Sequence, residues 1–297
     1  MLSSHFGEIA ALLTAVFWTI TSLAFEGATK RVGPFAVNFL RLFLAVIFLS
    51  LLSYFTRGLI FPTDATAHNW IWLGLSGVVG FIIGDYFLFS SYPIIGSRVA
   101  MLIMTLAPPL AALLGWVVLG ETMDMKALLG MFFVLAGISI AIWNKPDGEK
   151  IKLKFPIRGL IYAFIGAMGQ GVGIVLSKYG MGEYNAFAAT QVRAIVAIVG
   201  FAIIISILGR WKNVRMTFSN KPAIKRIVLG SFFGPFLGVS FSLLAIQHTD
   251  VGIASTLMAL VPVLIILPSV ILFKQKVTLI EIAGAVLSVV GVSMFFI

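Results

Sequence analysis

Few charged side chains interrupt the long apolar stretches of this sequence, and their positions repeat. Arg41 and Arg193 lie 152 residues apart, each inside a run of aliphatic and aromatic residues. Asp85 and Glu26 accompany Arg41 in the first half, and Lys178 accompanies Arg193 in the second. A guanidinium in such surroundings can staple two segments through a carboxylate, make and break that pair as a gate, or take the anionic group of a solute. A carboxylate there, Asp85 or Glu26, can also carry a proton, because desolvation disfavours its charged form. Trp18 and Gln170 are a second matched pair. An aromatic ring opposite an amide suits an amphiphilic solute; packing and an interhelical hydrogen bond are the plainer alternative. Tyr86, Ser240 and Gln191 are further polar groups able to line a cavity.

The remaining chemistry is sparse. There is no cysteine, and His5, His68 and His248 are scattered, so no metal cluster is expected. The chain has neither a His-Glu-x-x-His motif nor the paired in-span acids of a membrane aspartyl protease, and no phosphate-binding G-x-x-x-x-G-K-[ST] loop. An enzyme is not expected, and no cofactor is implied.

The elements that must position these residues are apolar helices. Of the 297 residues, 60% are hydrophobic and 11% charged, against about 25% charged in a soluble domain; mean hydropathy is +1.08. Apolar stretches of roughly 20 residues recur, long enough to cross about 30 Å of hydrocarbon. Backbone groups must be satisfied within lipid, so these stretches read as helices, and no barrel-type alternation is visible. Ten spans are expected: 6–26, 34–55, 70–90, 97–119, 125–143, 157–178, 186–208, 226–246, 251–273 and 278–297.

The spans fall into two copies. Residues 7–55 align with 159–207, matching Gly7, Phe35 and Arg41 to Gly159, Phe187 and Arg193. Further on the offset is 154, matching Gly80, Gly84, Pro108, Gly130 and Gly137 to Gly234, Gly238, Pro262, Gly284 and Gly291. The expected organisation is a first five-helix repeat over 1–143, a hydrophilic linker over 144–156, and a second repeat over 157–297. Five spans per copy is an odd number, so the second copy enters the membrane in the opposite sense, an inverted repeat.

Orientation follows from the basic residues. Sixteen lysines and arginines collect on the face where the first span ends, among them Lys30, Arg158 and Lys221; the other face has three, Arg57, Lys126 and Lys178. The richer face reads as cytoplasmic, which puts both termini outside. The net charge of +10 then reflects loops beside anionic lipid rather than nucleic acid binding. No basic region precedes the first apolar stretch, so a cleaved signal peptide is not expected. Arg41 sits about seven residues into its span, roughly 10 Å deep at 1.5 Å per residue. Inversion then puts Arg41 toward the cytoplasmic face and Arg193 toward the outer one, two gates rather than one binding site. Asp85 and Glu26 lie at the cytoplasmic end and are able to meet Arg41. The mates of those acids are Val239 and Lys178, so Arg193 keeps no acidic company. Two roles for it stay open, contact with a solute anion or a tie to backbone carbonyls.

Several short motifs share an order and a doubled spacing. They are Phe39-Leu40-Arg41 and Gln191-Val192-Arg193; Ala107-Pro108-Pro109, Leu119-Gly120-Glu121, Gly130 and Gly137; and Val261-Pro262, Gly284 and Gly291, with Lys274-Gln275 where the first copy has Gly-Glu. Together they resemble the drug/metabolite transporter superfamily, in particular its EamA-type members with two tandem five-helix units. The resemblance implies alternating-access movement of small organic solutes, without fixing which one. It also implies an N-inside chain, opposite to the charge count. The reading is an all-α carrier in the plasma (inner) membrane, an exporter of amino-acid-like or drug-like metabolites. A channel or scaffold without active transport is the alternative. Partners are the solute, the lipid bilayer and, for coupling, protons; monomer and homodimer are both open.

Overall fold

The computed structural model describes residues 5–143, 156–266, 268 and 279–295, and every regular element among them is helical. The linker residues before Pro156, the Lys274-Gln275 pair and both chain ends lie outside the described residues. Among the described residues seven helices are long and apolar enough to cross a membrane: α1 Phe6–Val32, α2 Pro34–Arg57, α3 Ala67–Ser97, α4 Val99–Leu119, α6 Ile157–Met181, α7 Ala186–Ile207 and α9 Lys221–His248. Three shorter apolar helices join them: α5 Met125–Trp143, α10 Val251–Leu264 and α11 Leu279–Ser293. A short helix, α8 Trp211–Thr217, occupies the connection after α7, where the hydropathy pattern predicts only a loop.

Local chemistry sets the boundaries. Glu8 in the first turn of α1 and Lys30 and Arg31 in its last complement the helix dipole. Gly33, at φ 80°, turns the chain, and Pro34 opens α2 at a position where no backbone donor is needed. Thr66 and Asn69 form a reciprocal capping box ahead of α3. The sequence predicts a loop between spans ending at 90 and beginning at 97. Instead helix runs through to Ser97, and the reversal is concentrated at Gly96, whose φ of 78° suits a residue without Cβ.

Two irregularities recur at matching positions. α3 widens to π-helix over Val78–Asp85, and α9 does so over Phe232–Gly238. α4 breaks at Thr105 and Leu106 just before Pro108, and α10 at Ala259 and Leu260 just before Pro262. A proline has no N–H, so the carbonyls of Met104 and Met258 lose their usual helical donor. The halves meet through close contacts between small residues. A Cβ on Gly137 would lie 2.5 Å from the Gly284 carbonyl oxygen, and one on Gly130 3.0 Å from that of Gly291, so the two glycine stripes join α5 to α11 within the chain. A Cβ on Gly169 would lie 2.7 Å from Cα of Gly84, which seats α6 against the π-helical stretch of α3. Large apolar side chains point outward, including Phe55 at 75% exposure and Ile207 at 78%. Such a surface suits hydrocarbon rather than water.

Candidate functional site

A cavity of about 110 Å³ opens where the irregular stretches of the two halves converge. Matched elements line it from both sides: Trp18 with Gln170, Arg41 with Arg193, Asp85 with Val239, Met104 with Met258, and Pro108 with Pro262. Most of the remaining wall is apolar, with Leu88, Phe89 and Met101 among it, and Thr21, Ser22 and Ser242 adding hydroxyls.

Arg41, from α2, is 3% exposed. Its Nε donates to Asn38 Oδ1 at 3.0 Å, and its Nη2 meets Asp85 Oδ2 at 2.5 Å. The rings of Phe25, Phe81 and Phe89 stand 5.7, 5.5 and 4.8 Å from its guanidinium carbon. Their π faces favour a cation that has left water. Asp85 closes the π-helical stretch of α3, and the wider turn brings Phe81 and Asp85 to the same cavity.

Arg193, from α7, is 4% exposed and stands 4.6 Å from the same Phe81 ring. The two guanidinium heads therefore meet at one cavity, where the depth count predicts placement toward opposite faces. They approach one aromatic ring from two helices, because a three-methylene stem can carry its charged head well away from its own Cα. The backbone of Arg193 is pressed against α3: a Cβ on Gly77 would lie 2.6 Å from the Arg193 carbonyl oxygen. Its Nε has no hydrogen-bond partner among the described residues.

Other expected site residues are engaged elsewhere. Glu26 does not join Arg41. It accepts hydrogen bonds from Ser97 N at 3.2 Å and Ser97 Oγ at 2.5 Å and pairs with Lys30 at 2.5 Å, pinning the Gly96 bend. The bend frees the Ser97 amide, and Lys30 lies one turn away on the same face, so both partners are nearer than Arg41. Gln191 donates to Ser50 Oγ and the Ile60 carbonyl, at 2.9 and 2.8 Å. Tyr86 packs on Phe35 at 4.6 Å, and Ser240 is buried behind the wall with its hydroxyl unpartnered. Among these three none lines the cavity.

Lys178 belongs to a second cluster, where α1 and α10 begin and α6 ends. It pairs with Glu121 at 2.6 Å and donates to the Thr249 carbonyl at 2.8 Å. Glu121 also accepts from the Val251 amide at 2.8 Å, and Thr249 donates to Glu8 at 3.0 Å. Burial, and then the neighbouring Glu121, hold the Asp250 carboxyl above its usual range; Lys178 acts in the opposite direction. Both halves contribute to this cluster.

Sequence reasoning missed Phe81, although its place four residues before Asp85 is a usable signal for a shared helix face. It also missed Met101, Met104 and Met258, whose thioethers read as ordinary apolar filler.

The uncharacterized transporter YyaM of Bacillus subtilis is 25% identical over 281 residues, covering 90% of this chain and 88% of its own. An uncharacterized transporter of Archaeoglobus fulgidus is 26% identical over 168 residues, a match that spans only 56% of either chain. A solved structure titled "Crystal structure of protein" superposes with a TM-score of 0.71 over 97% of this chain and 96% of its own, at 18% identity, and so shares the fold. The profile of the EamA-like transporter family matches residues 5–143 and again residues 157–297. The chain is a multi-pass membrane protein belonging to the EamA-like transporter family, with two tandem copies of its repeat.

Proposed function

We propose that this protein is a secondary carrier exporting small organic metabolites, amino-acid-like or drug-like, by alternating access in the plasma membrane. The observation that carries this reading is the cavity itself. It lies between the two repeats and is walled by matched residues from each, where solute sites of inverted-repeat carriers form. In this reading ten helices cross the bilayer as two inverted five-helix units. The paired π-helical stretches and the paired breaks before Pro108 and Pro262 supply backbone that can change shape at the cavity wall. Trp18 and Gln170 contact the solute, and the Arg41–Asp85 pair supports the wall and is the place for proton coupling. The Lys178–Glu121 pair latches one repeat to the other on one side of the cavity. Rocking of the repeats breaks that latch and opens the cavity to that side. The chain carries out no covalent chemistry on its solute.

Reconstitution tests this directly. Proteoliposomes loaded with a whole-cell small-molecule extract should lose particular solutes saturably, and mass spectrometry of the external medium identifies them. Non-saturating ion currents in place of solute loss would indicate a channel, and an unchanged medium would refute the carrier reading.

A further inference from the structure

The cavity wall carries three charged side chains among the described residues: Arg41, Asp85 and Arg193. Arg41 and Asp85 neutralise each other through a direct contact at 2.5 Å, and Asn38 occupies Arg41 Nε. Among the described residues Arg193 has no such complement. The second repeat has Val239 where the first has Asp85. Arg193 is 4% exposed, lines the cavity, leaves Nε unbonded and has the Phe81 face as its near neighbour. Asp85 acts on Arg193 only through its field, its oxygen being held by Arg41. With Arg41 and Asp85 paired, the described cavity wall has a net formal charge of +1, located at the Arg193 guanidinium, whose Nε is unbonded.

A buried cation without a counterion is costly, and burial of this kind persists where function requires it. A guanidinium has a planar fork of donors that fits a carboxylate with two parallel hydrogen bonds. We infer that Arg193 is the anion subsite of this carrier, and that its solute is an amphiphile with one carboxylate-type group. The negative group would sit on Arg193. The apolar body would lie against Trp18 and Met104, Met258 and Pro262, side chains that adapt to varied shapes. The anion would supply the missing counter-charge, so the loaded cavity is neutral and the empty one is not. This inference rests on the carrier reading for its meaning, but binding can be measured without transport.

The probe is benzoate, with the isosteric neutral benzamide as control, applied to purified full-length protein in detergent at millimolar concentration. Benzoate should raise the thermal midpoint and benzamide should not. Arg193→Gln should weaken the benzoate effect about tenfold or more, the loss expected for a charge-assisted contact. Arg193→Lys, which keeps the charge but loses the fork, should retain part of it. A structural arginine would change the midpoint of the empty protein without changing selectivity between the two probes. Equal effects of benzoate and benzamide on the wild-type protein would overturn the assignment, as would selectivity unchanged in Arg193→Gln. The reconstitution experiment separates the two readings. Benzoate selectivity without movement of any solute would refute the carrier and leave the anion subsite. Movement of solutes without benzoate selectivity would do the reverse.

Discussion

Arg41 and Arg193 occupy the same place in two copies of one repeat, and their surroundings differ. Both are almost wholly buried, and both stand over Phe81. One has a carboxylate, an amide and two further aromatic rings; the other has none of these among the described residues. Duplication preserved the residue, and divergence at one neighbour, Asp85 against Val239, changed what the residue can do. A satisfied arginine is part of the wall. On the reading proposed here an unsatisfied one is a site, its counter-charge supplied by something that enters.

The largest expected effect tests the satisfied side. Asp85→Ala strands the Arg41 charge in an apolar, ring-lined pocket. Stability should fall by about 3–5 kcal/mol, the usual cost of removing one partner of a buried pair. The readout is the thermal midpoint in detergent together with membrane abundance. Adding Arg41→Met to Asp85→Ala should restore much of the loss, because both buried charges are then gone. Arg193→Gln should cost far less, and an equal cost for the two single variants would end the distinction drawn between the arginines.

Next in size is a change that makes the copies alike. Val239→Asp supplies Arg193 with the acid that its mate already has. The cavity charge falls from +1 to zero, and the preference for benzoate over benzamide should drop about tenfold, the scale of one charge-assisted contact. Unchanged preference would show that position 239 does not face Arg193 as Asp85 faces Arg41.

A smaller effect belongs to the uncharged pair. Trp18→Ala and Gln170→Ala should each slow solute loss from proteoliposomes about fivefold, the equivalent of roughly 1 kcal/mol, without lowering membrane abundance. Transport at the wild-type rate in both would remove them from the solute contact.

How much of this was legible in the sequence depends on the distance over which each feature is decided. The repeat, the apolar helices and the glycine stripes follow from periodicity and composition, and Gly130 and Gly137 do meet Gly291 and Gly284. The pairing of Arg41 with Asp85 followed from matching depths. The meeting of the two arginines did not. Counting 1.5 Å per residue locates a Cα, whereas a guanidinium sits at the end of a long stem. Glu26 turns away from Arg41 for a related reason: the bend at Gly96 exposes an amide at Ser97, and no hydropathy pattern marks which turn of a long apolar run will open. Gln191 reads as a lining residue by type, but its partners Ser50 and Ile60 come from a neighbouring helix and the loop that follows it, whose placement is tertiary.

The smallest expected effect lies at the second charged cluster, which contrasts with both arginines because it is partly open to solvent. There Glu8, Glu121 and Asp250 gather near one Lys178, whose hydrogen bond and ion pair among the described residues go to the Thr249 carbonyl and Glu121 rather than to Asp250. Burial and the Glu121 charge raise the Asp250 pKa in the fold. The folded carboxyl then keeps its proton to higher pH than the unfolded one, whose value is about 4. Its contribution to stability is full below the unfolded value and is lost as pH rises through the folded value. Acidification from neutral pH should therefore stabilise the protein slightly through this group. Asp250→Asn is neutral at every pH and should flatten that slope, seen as a smaller change of thermal midpoint with pH above about 4. Glu8, Glu121 and Lys178 are present in both proteins, so their shared contribution cancels to first order in the difference. Parallel midpoint-against-pH curves for the two proteins would show that Asp250 is solvated well enough to ignore its neighbours, and that uncompensated charge in this chain has consequences only inside the cavity.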